Sequence, residues 1–107
     1  MLRVNGIQID SESGAVVRHG EPVRLTHKER LLMRELAANA GRPVTSDAML
    51  TNVWGTQYRR ELQYLRVWVS RLRSKVEADP ASPSLIKTVQ GIGYLLDASA
   101  DLVAASG

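Results

Sequence analysis

The chain has 107 residues, no cysteine, two histidines and a formal net charge of +3. That length holds one domain with a modest core. The lack of cysteine excludes a disulfide framework and thiol chemistry, and with only His19 and His27 available neither a zinc site nor another cofactor is expected. No apolar run approaches the roughly 20 residues that span a bilayer. The start MLRVNGIQID lacks the charged-then-apolar layout of a signal peptide, so a soluble, cytoplasmic setting without a membrane is expected.

Residues 2–25 alternate short β-like runs with turns. Leu2–Val4, Ile7–Asp10, Ala15–Arg18 and Pro22–Leu25 predict a meander of about four strands, with Asn5-Gly6, Ser11–Gly14 and His19-Gly20 as the turns. Val and Ile on one side and polar side chains on the other predict one solvated face. Thr26-His27-Lys28-Glu29 fits a capping box and opens a helix to about Ala40, with Leu32, Met33, Leu36 and Ala37 inward. Its charges Lys28, Glu29, Arg30, Arg34 and Glu35 read as a solvated face. Gly41 suits the left-handed stop. Pro43-Val44 reads as extended. Thr45 or Ser46 caps a second, shorter helix with Leu50, Val53 and Trp54 inward, and Gly55 ends it. Gly55, Thr56, Gln57, Tyr58, Arg59 and Arg60 form a loop before a third helix over Glu61–Ala78, stopped by Asp79-Pro80. Leu85–Val89 is β-branched, Gln90–Gly93 turns, and Tyr94–Leu96 returns. A hairpin behind a helix-loop-helix is the wing of a winged helix. Residues 1–97 thus form one domain and 98–107 read as a flexible tail.

The third helix organises the rest. Leu62, Leu65, Val69, Leu72 and Val76 fall on one side at steps of 3 and 4 residues, the rhythm of a core-facing stripe. The opposite arc centres on Gln63, Val67, Ser70 and Ser74, edged by Arg66, Arg71 and Arg73. Residues 59–75 carry six basic groups against Glu61 alone, a local balance of +5, while the other 90 residues balance at −2. An anionic polymer is the partner such focusing suits.

A basic amphipathic helix is also a common solubility device. Against that stand the preference for arginine, suited to guanine edges and phosphates, and the near absence of acids before Glu77. Gln63, Arg66, Val67 and Ser70 are therefore the expected base readers, an exposed Val67 being suited to a thymine methyl. Arg71, Arg73 and Lys75, and Lys87 and Thr88 on the wing, are expected at phosphates, which fix register rather than sequence. Trp54 is expected to pack its ring and offer its indole N–H to a phosphate, Trp68 to serve as packing, and Gln90 at the wing tip to reach the minor groove. No Gly-rich phosphate loop, nucleophile elbow or histidine–acid pair is present, so an enzyme is not expected.

The helix LTHKERLLMRELAANAGRPVT, the ending LTNVWG, and the runs YLRVWVSRLRSKVE and TVQGIGYLL resemble the effector domain of OmpR/PhoB-type response regulators. The run YLRVWVSRLRSKVEADPASP looks nearest to the KdpE-like branch. The resemblance covers about residues 3–96 and implies an α+β winged helix-turn-helix: a four-stranded N-terminal antiparallel sheet, three helices and a C-terminal hairpin wing. It implies base reading at Gln63, Arg66, Val67 and Ser70, and phosphate contacts from Trp54, Arg71, Arg73 and Thr88. It further implies binding to tandem promoter half-sites as a homodimer, with loop Gly55–Arg60 meeting RNA polymerase. Two positions depart from the family pattern: Gln90 stands where some members have arginine, and Ser70 where a longer basic side chain often sits. The receiver domain, and the sensor histidine kinase acting through it, are implied for a longer protein. A fragment of such a regulator is therefore expected, with a solitary effector domain as the alternative.

Overall fold

The computed structural model describes residues 1–97; the tail assigned to 98–107 lies outside the described residues. Strands β1 (Leu2–Val4), β2 (Ile7–Ile9), β3 (Val16–Arg18) and β4 (Glu21–Pro22) form an antiparallel meander in sequential order. Its last strand is two residues long, shorter than Pro22–Leu25 suggested. Proline has no N–H to extend the ladder, and Val23 instead returns its N–H to Val16 O at 2.9 Å. The turns Asn5-Gly6 and His19-Gly20 both put two successive residues at positive φ, the backbone of a two-residue hairpin that matches strand twist. Val4, Ile7, Ile9 and Val16 are buried while Arg3 and Gln8 are exposed, so one face is solvated as expected.

Helix α1 (His27–Ala38) starts on the expected capping box. Helix α2 (Ser46–Trp54) is capped by Thr45, whose hydroxyl accepts from the Ala48 N–H at 3.0 Å. A single 3-10 turn, Thr56–Tyr58, fills the loop before α3 (Leu62–Val76). Helix α3 is shorter at both ends than Glu61–Ala78. Glu61 gives no side-chain cap, and Glu77 is already extended, with φ −83° and ψ 142°. The helix thus ends at Val76, ahead of Asp79-Pro80, where the Glu77 carboxylate is captured as described below.

The hairpin β6 (Ile86–Val89) and β7 (Gly93–Leu96) gains a third strand, β5 (Val44–Thr45), in the order β5-β7-β6. The extended Pro43-Val44 segment is thus part of the wing sheet. Gly93 is required where β5 crosses close, since a β-carbon there would collide with the Val44 carbonyl oxygen. One core joins the two sheets through the helices, with Leu32, Met33 and Leu36 of α1, Leu50 of α2, Leu72 of α3 and Leu96 of β7 all fully buried.

Candidate nucleic-acid interface

Helix α3 docks through Leu65, Val69, Leu72 and Val76, each at most 1% exposed. Leu62 is a correction. In the first turn of the helix it projects past the core and is 51% exposed. The opposite arc is open. Gln63, Arg66, Val67, Ser70 and Ser74 are all exposed, so the four expected base readers share one continuous surface. Val67, at 42% exposure, is an apolar group that folding leaves in water.

Aromatic rings hold the start of this helix against the end of α2. Trp54 lies 5.2 Å from Tyr64 and 5.5 Å from Trp68, centroid to centroid, and Tyr58 of the 3-10 turn lies 5.6 Å from Tyr64. Such tilted contacts add about 0.5–1.5 kcal/mol each beyond area burial. Trp54 and Trp68 are half-buried packing groups. The Arg71 guanidinium sits 5.3 Å over the Trp68 ring, a cation–π contact that orients it at the rim of the exposed arc.

Four of the expected phosphate ligands, Lys75, Arg73, Thr88 and Lys87, already have partners within the protein. The Lys75 ammonium is 2.6 Å from Glu29 Oε1, and Glu29 is 2% exposed. Lys75 thus neutralises a buried carboxylate of α1, and the correction falls on Glu29, which does not belong to a solvated face. The same Glu29 Oε1 accepts from the Thr26 N–H at 2.8 Å. Burial alone would raise the Glu29 carboxyl, but Lys75 and the Thr26 N–H and hydroxyl outweigh it and hold its pKa below the ordinary value. Arg73 is engaged more extensively. Its Nε and Nη2 donate to Ile86 O at 3.1 and 2.8 Å, Nη2 also donates to Thr88 Oγ1 at 3.0 Å, and its guanidinium covers the Tyr94 ring at 5.6 Å. It braces the wing against α3 rather than reaching outward.

Glu77 completes this brace, and sequence reading missed it. At 3% exposure its carboxylate accepts from the backbone N–H groups of Ser84, Leu85 and Ile86, the last at 2.7 Å. No local pattern announced this. The only signal was an acid placed between a helix end and a strand that must begin close by. On the wing itself Lys87, Thr88 and Gln90 are exposed, with Lys87 paired to Asp97 at 2.8 Å.

Between α3 and the wing runs a cleft of about 670 Å³. Arg59, Arg60, Leu62 and Arg66 form one wall, residues 88–94 the other, and residues 45–47 the floor. The structure therefore brings Arg66 of the reading arc, Thr88 and Gln90 of the wing, and two loop arginines around one opening. Trp54 does not line it. Among the described residues no cluster of three or more His, Cys, Asp or Glu is placed to hold a metal ion, and no helix is long and apolar enough to cross a membrane.

A helix pair whose second helix exposes an arginine-edged arc beside a braced hairpin defines a winged helix-turn-helix of the nucleic-acid-binding class. Comparison with known proteins agrees. The family model described as "Transcriptional regulatory protein, C terminal" matches residues 20–96, and the chain belongs to that family. The sensory transduction protein RegX3 of Mycolicibacterium smegmatis is 40% identical over 97 residues, 91% of this chain and 42% of that protein. The DNA-binding domain of Klebsiella pneumoniae RstA, solved in complex with the RstA box, shares 33% identity and a TM-score of 0.77 over 90% of this chain and 95% of that one. The Thermotoga maritima OmpR/PhoB homologue DrrB, a response regulator, shares 29% identity and a TM-score of 0.77 over 89% of this chain and 43% of that one. The chain is thus an OmpR/PhoB-type DNA-binding effector domain, and it spans about two fifths of the length of the curated relatives it matches.

Proposed function

We propose that α3 lies in the major groove of promoter DNA and reads base edges through Gln63, Arg66, Val67 and Ser70, as part of a two-component regulator of transcription. One observation carries this reading most directly. These four side chains are all exposed on the face opposite the buried stripe, and Arg66 has no ion pair among the described residues. Arginine presents a fork that matches guanine O6 and N7, and valine a methyl surface for thymine. Arg71, oriented on Trp68, and Thr88 and Lys87 on the wing serve as phosphate contacts that set register. Gln90 at the wing tip lies against the adjacent minor groove. Trp54 contributes as the packed ring that positions Tyr64 and Trp68, with its indole N–H available to the backbone.

The wider assembly rests on the family. Tandem half-sites bound by a homodimer, RNA polymerase at the loop Gly55–Arg60, and a receiver domain addressed by a sensor histidine kinase all belong to the whole regulator. The finer KdpE-like placement is supported by the run YLRVWVSRLRSKVEADPASP alone. Selection from a random duplex library tests the core of the proposal. A half-site repeated about 10–11 base pairs apart is expected; a single unrepeated site overturns the tandem arrangement, and no enrichment overturns sequence reading. Arg66→Ala should cost about 1–3 kcal/mol and relax preference at one position, whereas Arg71→Ala should weaken all sequences alike.

A further inference from the structure

The two arginines that close the loop, Arg59 and Arg60, line two openings: the cleft between α3 and the wing, and a smaller one of about 480 Å³ on the loop itself with Thr56 and Gln57. Their backbone is fixed. The Tyr58 N–H donates to Gly55 O at 3.0 Å, Arg59 N–H to Thr56 O at 3.2 Å, Glu61 N–H to Tyr58 O at 2.9 Å and Leu62 N–H to Arg60 O at 2.9 Å. The Tyr58 ring is packed on Tyr64, so the turn is pinned at both ends to the helices it joins. Both guanidinium groups are exposed, and neither has an ion pair among the described residues. They share one wall of the cleft with Arg66, facing Thr88 and Gln90 on the wing. Asp47 is the one acidic residue lining that cleft, and its carboxylate accepts from the Thr51 hydroxyl at 3.1 Å. Three guanidinium groups against one carboxylate make the opening a strongly positive trough between the reading helix and the wing.

We propose that Arg59 and Arg60 are DNA ligands: they hold the phosphates of the backbone that passes between α3 and the wing. The inference rests on the reading of α3 as the groove helix and deepens it. It also divides the loop. Gly55–Tyr58 is left to a protein partner, while Arg59 and Arg60, which also border Thr56 and Gln57, reach the nucleic-acid surface through the cleft. Arginine at both positions suits this role, since a planar fork binds a phosphate through two parallel N–H groups.

The test needs no polymerase. The 107-residue chain is titrated against a labelled mixed-sequence duplex of about 25 base pairs, over a range of salt concentrations, with fluorescence anisotropy as the readout. Arg59→Ala and Arg60→Ala should each weaken binding about 3- to 10-fold at low salt, and each should lower the slope of log K against log salt by about 0.9. Arg59→Lys and Arg60→Lys should keep that slope, because the charge remains. Arg34→Ala removes the same charge from an exposed site on α1 outside the cleft and should change neither quantity. Unchanged affinity and slope in the Arg59→Ala/Arg60→Ala double variant, with Arg71→Ala still weakening binding, overturns the loop assignment alone. No salt-dependent binding by the unaltered chain overturns the groove reading together with it. An Arg34→Ala loss equal to those of the loop variants reduces the effect to overall charge and also overturns the assignment.

Discussion

Glu77→Gln is the sharpest probe of how the wing is held. The carboxylate is 3% exposed and takes backbone N–H groups from three successive residues at 2.7 to 3.1 Å. Hydrogen bonds to an ionised acceptor contribute about 1.5–3 kcal/mol each, against roughly 0.5–1.5 kcal/mol for a neutral one. Glutamine keeps the shape and one acceptor oxygen but turns an NH2 group toward N–H donors. At least one buried donor then loses its partner, at about 1–3 kcal/mol, and the others lose charge assistance. A loss of about 2–4 kcal/mol is expected, a large part of the roughly 5–15 kcal/mol that holds a domain of this size. The thermal midpoint should fall by about 8–32 °C at 4–8 °C per kcal/mol. Urea unfolding at neutral pH, followed by circular dichroism, measures the free energy directly, and an unchanged m-value ties the loss to the folded state. A loss below about 0.5 kcal/mol, the size of an ordinary surface substitution, would refute the account of Glu77 as the anchor of the wing.

Lys75→Met leaves the buried Glu29 without its ammonium. Because Lys75 is 35% exposed and water reaches the pair, the expected loss is about 1–3 kcal/mol near pH 7, less than for a sealed pair. The folded state lowers the Glu29 pKa, so this stabilisation is complete above the unfolded value near about 4.3 and is lost as pH falls through the folded value. The gap between Lys75→Met and the unaltered chain should therefore narrow in acid, as read by unfolding midpoints from pH 7 down to about 3. Arg73→Lys replaces a fork by a point charge and cannot serve both Ile86 O and Thr88 Oγ1 in the same geometry; faster amide exchange across the β6–β7 hairpin, with helix α1 unaffected, is the expected result. Gly93→Ala should cost about 2–4 kcal/mol, since the Val44 backbone must retreat and β5 loses its place on β7; a stable variant with β5 still paired would show that the close approach is not needed.

How much of this was legible depended on the range of the interaction. The capping box at Thr26 and Glu29 spans four residues and reads directly from sequence. The second duty of Glu29 was hidden because Lys75 lies 46 residues away. A two-residue strand such as β5 has no periodicity of its own and exists only through its partner, Tyr94 and Gly93. Leu62 fits the apolar spacing, but spacing does not say where a helix begins, and a residue in its first turn can overshoot the core. The exposed arc was legible because a long helix with a clear apolar stripe leaves its opposite face no other place. The direction of each arginine was not legible. Composition assigned Arg59, Arg60, Arg66, Arg71 and Arg73 to one positive element, whereas the structure turns Arg73 back onto β6 and lays Arg71 on an indole.

The brace formed by Arg73 and Glu77 gives the protein the properties of a caliper. One jaw is α3 and the other is the hairpin, and their separation is set by a guanidinium and a carboxylate that both point inward. With the jaws fixed before any duplex arrives, little ordering is left to be done on contact. On the proposed reading of α3 and the wing, the strain of fitting falls instead on the DNA, whose groove width and flexibility vary with sequence. A duplex with suitable bases but an ill-matched step between neighbouring grooves would then bind less well. Loosening the caliper at Arg73 or Glu77 would relax discrimination among sequences that no side chain touches.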